Sequence, residues 1–393
     1  RLAGDREEEL YRFLLIAQCN ALHKSMPLLF EKCGIKKGEK IALCARNCAE
    51  WCVSYLAIVT YDAVCVPLLA DFLPQNILDL TRISDSRLLL VDKNIFANLK
   101  RDNIVPKFSD IKGFCGLVDI VGLEVRESCN GCLDGVMDAV ETSFAARFPH
   151  GVTPKNVDYK RDNLDALSVI SYTSGTSSSP KGVMLTARSI SSNLQFALDN
   201  IPATSEDKIL SILPLAHIFG QIFDFVYPFA SGCHINIFTE KPIPARLLKA
   251  LSDVRPYMFL TVPLLIEKIF RGKVMPQLQS KKMRAMLAVP GLRSVIYKKV
   301  RQKLVVTFGG NICEGGVILE IGPSLVTQKR TTLGHTVTHR ERESHLLEEG
   351  FVVLAAGLTA GVVHLHEHLP FKIAEIVDKL GSFLHNKTPL ADD

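Results

Sequence analysis

The sequence lacks several features that would place it in a special class of protein. It has 11 cysteines in 393 residues, which is too low a density for a disulfide scaffold, and the number is odd. We therefore expect a reducing, cytoplasmic compartment. The longest late apolar run, Phe351 to Val363, has 13 residues, whereas a bilayer-spanning helix needs about 20. No methionine or charged-then-apolar leader precedes Arg1, so no secretory signal is predicted; a fragment is the alternative interpretation.

The charge surplus is also small. Lysine and arginine number 46 against 41 acidic residues, which leaves a net charge of +5. This balance gives no support for nucleic-acid binding, although it would tolerate an anionic ligand. Hydrophobic residues make up 47% and charged residues 22% of the chain, as in a folded globular protein, and the length suggests two or three domains.

Short apolar runs alternate with longer amphipathic stretches through most of the chain. The alternation predicts an α/β fold with a mainly parallel sheet that helices cover on both faces. The predicted strands are Lys40–Cys44, Ala63–Leu69, Arg87–Val91, Leu167–Tyr172, Lys208–Leu213, His234–Phe238 and Met258–Val262. The predicted helices are Cys48–Tyr61, Ile190–Leu198, Ala245–Ser252 and Pro263–Phe270. Residues 102–162 are less regular and carry no assignment.

The start of the first of these helices matches a capping pattern. Asn47 precedes it and Glu50 follows three residues later. This spacing predicts a capping box, in which the asparagine side chain accepts a backbone N–H and the glutamate reaches back to the cap.

The stretch from Ile170 to Gly182 carries the strongest chemical signal. It reads Ile-Ser-Tyr-Thr-Ser-Gly-Thr-Ser-Ser-Ser-Pro-Lys-Gly, an apolar strand followed by hydroxyl residues, a glycine and a lysine. Exposed backbone N–H groups and hydroxyls form an anion cradle, and Lys181 adds a point charge for phosphate oxygens. Pro180 rules out a Walker A loop, which requires glycine before its lysine. A flexible serine-rich loop is the alternative. We expect the loop to lie between a strand and a helix, near the carboxyl edge of the sheet.

A second segment, Ser211 to Gln221, reads Ser-Ile-Leu-Pro-Leu-Ala-His-Ile-Phe-Gly-Gln. A histidine in such an apolar run, taken alone, is more typical of a hydrogen-bonded core residue than of a functional one.

Together these segments resemble the adenylate-forming superfamily of acyl-CoA synthetases, luciferases and peptide-synthetase adenylation domains. Its phosphate loop, Thr-Ser-Gly-Thr-(Thr/Ser)-(Gly/Ser)-x-Pro-Lys-Gly, fits residues 173–182 throughout. The resemblance implies a layered α/β large domain with an irregular C-terminal tail. It also implies that the β- and γ-phosphates of ATP contact five residues of the loop. These are Thr173, Ser174, Gly175, Thr176 and Lys181.

The same resemblance gives His217 a role. The Pro-x-x-His turn of relatives lies beside the acyl carboxylate, so His217 would orient it, and Phe219 with Gly220 would border the acyl pocket. The spellings Leu-Pro-Leu-Ala-His and Tyr-Pro-Phe-x-x-Gly-Cys-His are most similar to bacterial long-chain fatty-acid ligases. One departure is Ala187, which stands where the family often has a histidine after Leu-Thr.

The resemblance covers about residues 27–310 and then stops. The Tyr-Gly-x-Thr-Glu segment, the ribose-binding aspartate, the Gly-Asp hinge and the catalytic lysine of relatives are not found, and seven of the eleven histidines follow Asn311. We therefore expect a partial AMP-binding large domain over residues 1–310 and a diverged or frameshifted tail over 311–393, with no catalytic C-terminal domain.

One pattern of histidines and one of cysteines have spacings that metal ligands can have. His364, His366 and His368 would share one face of a strand and could bind a metal, although a poorly packed tail explains them better. Cys129 and Cys132 have C-x-x-C spacing without a second pair, which is weak evidence for zinc. Another set with helical spacing is explained better as buried core thiols. Its members are Cys44, Cys48 and Cys52.

The resemblance implies an ATP-dependent acid–thiol ligase that activates a long-chain fatty acid as an acyl-adenylate for transfer to CoA, with Mg²⁺ on the phosphates. The alternative is a truncated, inactive nucleotide- or acyl-binding remnant, since several family motifs are not found. A non-enzymatic interaction protein has no positive feature in its favour. The expected partners are a small carboxylate, ATP and CoA but not nucleic acid, and peripheral contact with a membrane stays open.

Overall fold

The computed structural model describes residues 23–152, 163–173, 181–240 and 242–261, together with the backbones of strands at 314–319 and 352–355. The chain divides into two compact units. The first comprises Arg1–Gln195 and Pro214–Phe225, and the second comprises Phe196–Leu213 and Val226–Asp393. Each unit contains its own sheet, and the two are described separately below.

The first unit contains a seven-stranded sheet with strand order β5-β4-β3-β1-β2-β6-β7. The central pairings are parallel, and only the outer pairs β4–β5 and β6–β7 are antiparallel. The elements are helix α1 (residues 23–32), β1 (Lys40–Cys44), α2 (Ala49–Thr60), β2 (Val64–Leu68), α3 (Pro74–Ile83), β3 (Ser86–Val91), α4 (Lys93–Arg101), a 3₁₀ helix (Val105–Asp110), β4 (Gly116–Asp119), β5 (Val125–Ser128), α5 (Val136–Arg147), β6 (Leu167–Thr173) and β7 (Lys181–Thr186).

The core of this unit forms where the apolar central strands meet their helices. Four of the five β1 residues and all five of β2 are buried, as parallel strands covered on both faces should be. Trp51 of α2 is fully buried, and its ring stacks on Tyr55 with centroids 5.8 Å apart. Each fully buried aliphatic or aromatic side chain contributes about 1.5–3 kcal/mol, so these layers hold the sheet and helices together.

The second unit contains a five-stranded sheet with strand order β12-β11-β10-β8-β9. Its pairings are parallel except for β11 with β12. Helix α6 (Ala187–Asn200) runs across the division between the units, and α7 (Ile218–Gln221) belongs to the first unit. The remaining elements are β8 (Lys208–Ser211), α8 (Tyr227–Ala230), β9 (His234–Ile237), α9 (Pro244–Val254), β10 (Met258–Thr261), β11 (Glu314–Leu319) and β12 (Val352–Ala355).

The predicted α/β class and mainly parallel sheet are confirmed. All seven predicted strands are present, with their ends displaced by at most two residues. Three of the four predicted helices are also present, and the fourth, Pro263–Phe270, lies outside the described residues. The unassigned stretch 102–162 contains the 3₁₀ helix, the β4–β5 hairpin and α5.

The predicted capping box is wrong. Cys48, not Asn47, is the N-cap of α2, and its sulfur accepts the backbone N–H of Trp51 at 3.4 Å. The Asn47 side chain instead accepts the backbone N–H of Leu215 at 3.0 Å. A partner 168 residues away in the sequence therefore replaced the local bond that the spacing suggested.

Gly116, at the first position of β4, adopts a backbone conformation that only glycine tolerates well. Its φ is +148°, and an added Cβ would lie 2.1 Å from the Glu127 carbonyl oxygen and 2.6 Å from Leu133 Cδ1. We expect Gly116→Ala to lower the free energy of unfolding by about 3 kcal/mol, since backbone strain and steric overlap each cost about 1–3 kcal/mol. Urea unfolding followed by the fluorescence of Trp51, the only tryptophan, measures the change.

Gly122→Ala is the matched control for this prediction. Gly122 has no positive φ, and its added Cβ would meet Glu124 Cγ at an ordinary 3.6 Å. That variant should stay within about 0.5 kcal/mol of the parent protein. Equal stability of the two variants would contradict the steric argument.

Candidate functional site

The serine-rich motif is framed by a β-hairpin. Strands β6 and β7 pair antiparallel, and Thr173 at the end of β6 is the register partner of Lys181 at the start of β7. The two ends of the motif are therefore held side by side. Ser174, Gly175 and Thr176 lie outside the described residues, and Thr173 is described by its backbone alone.

The expectation that the loop lies between a strand and a helix is wrong in one respect. The chain enters a second strand at Lys181 and reaches α6 only at Ala187. Pairing with β6 supplies partners for the backbone N–H and C=O groups of this segment, which satisfies a general requirement of folded chains. Hydrogen bonds between β7 and β6 thus fix the position of the Lys181 backbone.

The Lys181 side chain is exposed, and the backbone of the next residue, Gly182, lies close against side chains of β6. A Cβ added at Gly182 would lie 3.0 Å from Ile170 Cγ2 and 3.1 Å from Tyr172 Cε1. Burial, followed by the charge of Asp85, raises the pKa of the Tyr172 phenol, so this ring stays neutral beside the lysine. The hairpin base therefore presents an exposed cation beside a neutral phenol, which suits an anionic ligand.

His217 begins a short helix. It is the N-cap of α7, where its Nδ1 accepts the backbone N–H of Phe219 at 3.3 Å. Because Nδ1 is an acceptor, the neutral ring carries its proton on Nε2, which can donate to a second group. The side chain is half-buried beside the buried Phe219, whose ring lies 4.6 Å from that of Phe223.

The helix that His217 caps continues into a π-helical turn at Ile222–Val226. Such turns occur often at functional sites. Gln221, the last residue of α7, is fully buried, and within the described parts of the chain its side-chain nitrogen and oxygen have no hydrogen-bond partner. An unsatisfied buried amide costs about 1–3 kcal/mol. Gln221 thus joins His217 as a polar group on this helix, and no signal in the sequence distinguished it.

The carboxyl end of β1 anchors the turn that carries His217. Asn47 accepts the N–H of the buried Leu215, two residues before the histidine. Beside it, Asp92 accepts the N–H of Arg46 at 2.9 Å and caps α4 through the N–H groups of Asn94 and Ile95. Sequence reasoning missed Asp92 and misassigned Asn47, because the bonds that join them to this site, from Arg46 and from Leu215, come from separate parts of the chain.

The metal-like spacings of histidine and cysteine find no support among the described residues. No group of three or more histidine, cysteine, aspartate or glutamate side chains in that part of the chain is arranged to hold a metal ion. His364, His366 and His368 lie outside it. Cys44 ends β1, Cys48 caps α2 and Cys52 lies within α2, so these three do not share one helix.

Within the described part of the chain, no helix combines the length and apolarity that crossing a bilayer requires.

The chain is similar to a known enzyme family and to several curated relatives. The sequence profile of the AMP-binding enzyme family matches residues 19–338. Long-chain-fatty-acid–CoA ligase 5 of Mus musculus is 30% identical over 252 residues, which is 61% of this chain and 35% of the relative. The chloroplastic long-chain-fatty-acid–[acyl-carrier-protein] ligase AEE15 of Arabidopsis thaliana is 28% identical over 61% of this chain and 32% of the relative. The chain thus spans about a third of the length of these relatives.

Solved structures show the same fold. A long-chain-fatty-acid–CoA ligase (FadD1) from Archaeoglobus fulgidus superposes with a TM-score of 0.54 at 19% identity, covering 77% of this chain and 56% of that one. The anthranilate CoA ligase AuaEII in complex with anthranoyl-AMP also gives 0.54, at 17% identity, covering 66% and 46%. Because both sequence identities are low, these structural similarities establish the fold alone.

The role of Asn47 can be tested by removing its acceptor oxygen. Asn47→Ala leaves the buried N–H of Leu215 unpaired, which should lower the free energy of unfolding by about 1–3 kcal/mol and speed amide exchange at Leu215. Asn47→Asp keeps an acceptor and should retain most of the protection. Trp51 fluorescence reports stability, and hydrogen exchange reports the amide. Unchanged exchange at Leu215 in Asn47→Ala would contradict the assignment.

Proposed function

Because the chain belongs to the AMP-binding enzyme family, we propose that it activates a long-chain fatty acid with ATP and transfers the acyl group to CoA. The observation that carries the proposal is the family-type motif at residues 173–182, held by a hairpin with the exposed Lys181 at its base. Similarity to several ligases that are named for long-chain fatty acids supports the substrate class.

The reaction converts a poor acyl donor into a good one. A carboxylate oxygen attacks the α-phosphorus of ATP, the bond to the β-phosphate bridge breaks, and pyrophosphate leaves. The CoA thiol then attacks the acyl carbon, loses its proton, and displaces AMP. Both steps depend on positioning and on neutralising negative charge.

Lys181 suits the neutralisation of negative charge. Its exposed ammonium would contact phosphate oxygens, and Thr173, Ser174, Gly175 and Thr176 would supply hydroxyl and backbone donors around the β- and γ-phosphates. Mg²⁺ belongs to the same proposal, where it would help to neutralise the phosphate charge, and we assign no ligand to it. Among the described residues of the hairpin, Lys181 is thus the cation that would bind the anion.

His217 suits the positioning of the carboxylate. With Nδ1 occupied by the N–H of Phe219, its Nε2–H could donate to a carboxylate oxygen and orient it for attack. Phe219 and Gly220 would border the acyl chain, and Gln221 would add an amide next to the same pocket. His217 is proposed here as a positioning residue, because the reacting bonds are those of the carboxylate and the α-phosphate.

The proposal extends to organisation and location. It places the adenylate-forming part of the chain in residues 1–310 and treats 311–393 as a diverged or frameshifted tail. It also keeps a cytoplasmic location, although one relative carries a chloroplastic name. A second candidate function is binding of nucleotide or acyl ligand without turnover. It is supported by the absence of several family motifs from residues 311–393.

Release of pyrophosphate separates the two candidates. With ATP, Mg²⁺ and palmitate, the ligase should release pyrophosphate, and Lys181→Ala should lower kcat/KM for ATP about 10- to 100-fold. This range corresponds to the loss of one charged hydrogen bond of about 1.5–3 kcal/mol. Lys208→Ala is the matched control, because Lys208 is an exposed lysine that also opens a strand.

Each result of this assay decides something. Turnover that needs Lys181 but not Lys208 supports the ligase, whereas calorimetric binding of magnesium nucleotide without pyrophosphate release supports the inert binding module. If neither turnover nor nucleotide heat is detected while an intact relative responds, the proposed anion site is wrong.

The two roles of His217 can be separated with a conservative variant. His217→Asn keeps an acceptor that can cap Phe219, and His217→Ala removes both the cap and the ring donor. We expect both variants to lower kcat/KM for palmitate about tenfold or more, as loss of a directed hydrogen bond does, while only His217→Ala lowers the melting temperature. Full activity in His217→Asn would show that the histidine acts only as a cap.

A further inference from the structure

Gln221, at the end of α7, carries a buried amide in apolar surroundings. Its side chain is fully buried, and within the described part of the chain neither Nε2 nor Oε1 has a hydrogen-bond partner. Phe219, Ile222 and Phe225 of the same segment are also buried. Because a polar group in such a medium is costly when it is unpaired, the amide has the capacity to bind a polar group of a ligand.

The amide lies one helical turn from His217. The N–H of Gln221 donates to the His217 carbonyl at 2.8 Å, which is the bond between residues four apart in an α-helix. Side chains with this separation lie on the same face of a helix, one above the other. Gln221 therefore belongs to the face of α7 that carries His217.

Contacts at both ends hold this segment in place. Before the helix, Asn47 accepts the N–H of Leu215 at 3.0 Å. After it, the ring of Phe225 meets that of Tyr55 in α2 edge-on, with centroids 6.1 Å apart. Because both ends of the segment are attached to the first unit, α7 cannot rotate as a whole to bring Gln221 to solvent.

The spacing of His217 and Gln221 indicates where the amide would meet an acyl chain. Four residues advance an α-helix by about 6 Å. A fully extended chain advances at most about 3.6 Å over three bonds, so about five bonds of an acyl chain cover the same distance. With the carboxylate at His217, Gln221 would meet the chain within about five bonds of it.

A hydroxyl is the substituent that suits this amide best. It can accept a hydrogen bond from Nε2 or donate one to Oε1, whereas a keto oxygen can only accept. A second carboxylate would place a charge in apolar surroundings, which costs more than a neutral group. A plain methylene chain would leave the amide unpaired, and sites built to bind a hydroxyl discriminate strongly against analogues that lack it.

We propose that the acyl site selects a long-chain fatty acid with a hydroxyl near its carboxylate, and that Gln221 recognises this hydroxyl. The inference rests on the proposed function, which places the carboxylate at His217. Gln221 acts on specificity alone, because it would touch the acyl chain and none of the reacting bonds. The selection is therefore expected in kcat/KM, while activation itself proceeds in the same way for each acid.

Pyrophosphate release with matched acids tests the selection. The full chain is assayed with ATP, Mg²⁺ and either palmitate or palmitate that carries one hydroxyl on the β, ε or ω carbon. We expect kcat/KM for the β or the ε isomer to be about 10- to 100-fold higher than for palmitate, since the hydroxyl pairs a buried amide. The ω isomer controls for general polarity and should behave like palmitate.

Gln221→Met removes the amide and keeps an unbranched side chain. We expect this variant to lose the preference for the hydroxylated acid and, without ligand, to melt about 2 °C or more above the parent protein, because an unpaired buried amide is removed. A glutamine with a merely structural role would lower the melting temperature when replaced. Gln75→Met is the matched control, because Gln75 is an exposed glutamine of α3, and it should keep the preference.

Binding without ATP separates this inference from the proposed function. Each acid is added alone, and the rise in melting temperature reports its binding. A larger rise with the β or ε isomer than with palmitate, lost in Gln221→Met, supports the inference even if no pyrophosphate is released.

Two results would overturn the inference. Turnover with equal kcat/KM for palmitate and both proximal isomers contradicts it and leaves the ligase proposal intact. If no acid gives pyrophosphate, the proposed function fails, and equal or absent melting shifts then contradict the inference as well.

Discussion

The parallel pairing of β1 with β2 and β3 is the constraint on which the rest of the first unit depends. β1 lies at the centre of the seven-stranded sheet, and its burial requires that every backbone group be satisfied by its neighbours. The register of these strands brings their carboxyl ends to one edge. There, Asp92 holds the N–H of Arg46 and Asn47 holds the N–H of Leu215, so the turn that carries His217 is attached directly to the central strand.

This edge also explains why local sequence patterns misled at particular positions. Asn47 and Glu50 have the spacing of a capping box, yet Asn47 bonds to a residue 168 positions away and a cysteine sulfur caps the helix. An asparagine oxygen can accept one N–H as well as another, and burial of Leu215 makes its N–H the one that cannot be left unpaired. Spacing in the sequence shows which hydrogen bonds are possible, and burial decides which of them forms.

The same reasoning applies to the cysteines. Cys129 and Cys132 are close in sequence, but the Cys129 sulfur takes its partner from the 3₁₀ helix, where the Ser109 hydroxyl donates to it at 3.6 Å. Gly116, through its positive φ, permits the close approach of β4 to the Glu127 carbonyl of β5. The anion motif shows a milder form of the effect: its residue types were recognised, whereas its entry into an antiparallel strand depended on the edge that β6 leaves open for pairing.

The sequence by itself determined the α/β class, the seven strands, three of the helices and the family to which the motif at residues 173–182 points. These properties depend on apolar periodicity and on short runs of fixed chemistry, both of which are local. Only the tertiary structure decided which distant groups meet: Asn47 with Leu215, Asp92 with Arg46, and Arg87 with Cys115. Such contacts follow from strand order and register, which no single segment of the chain encodes.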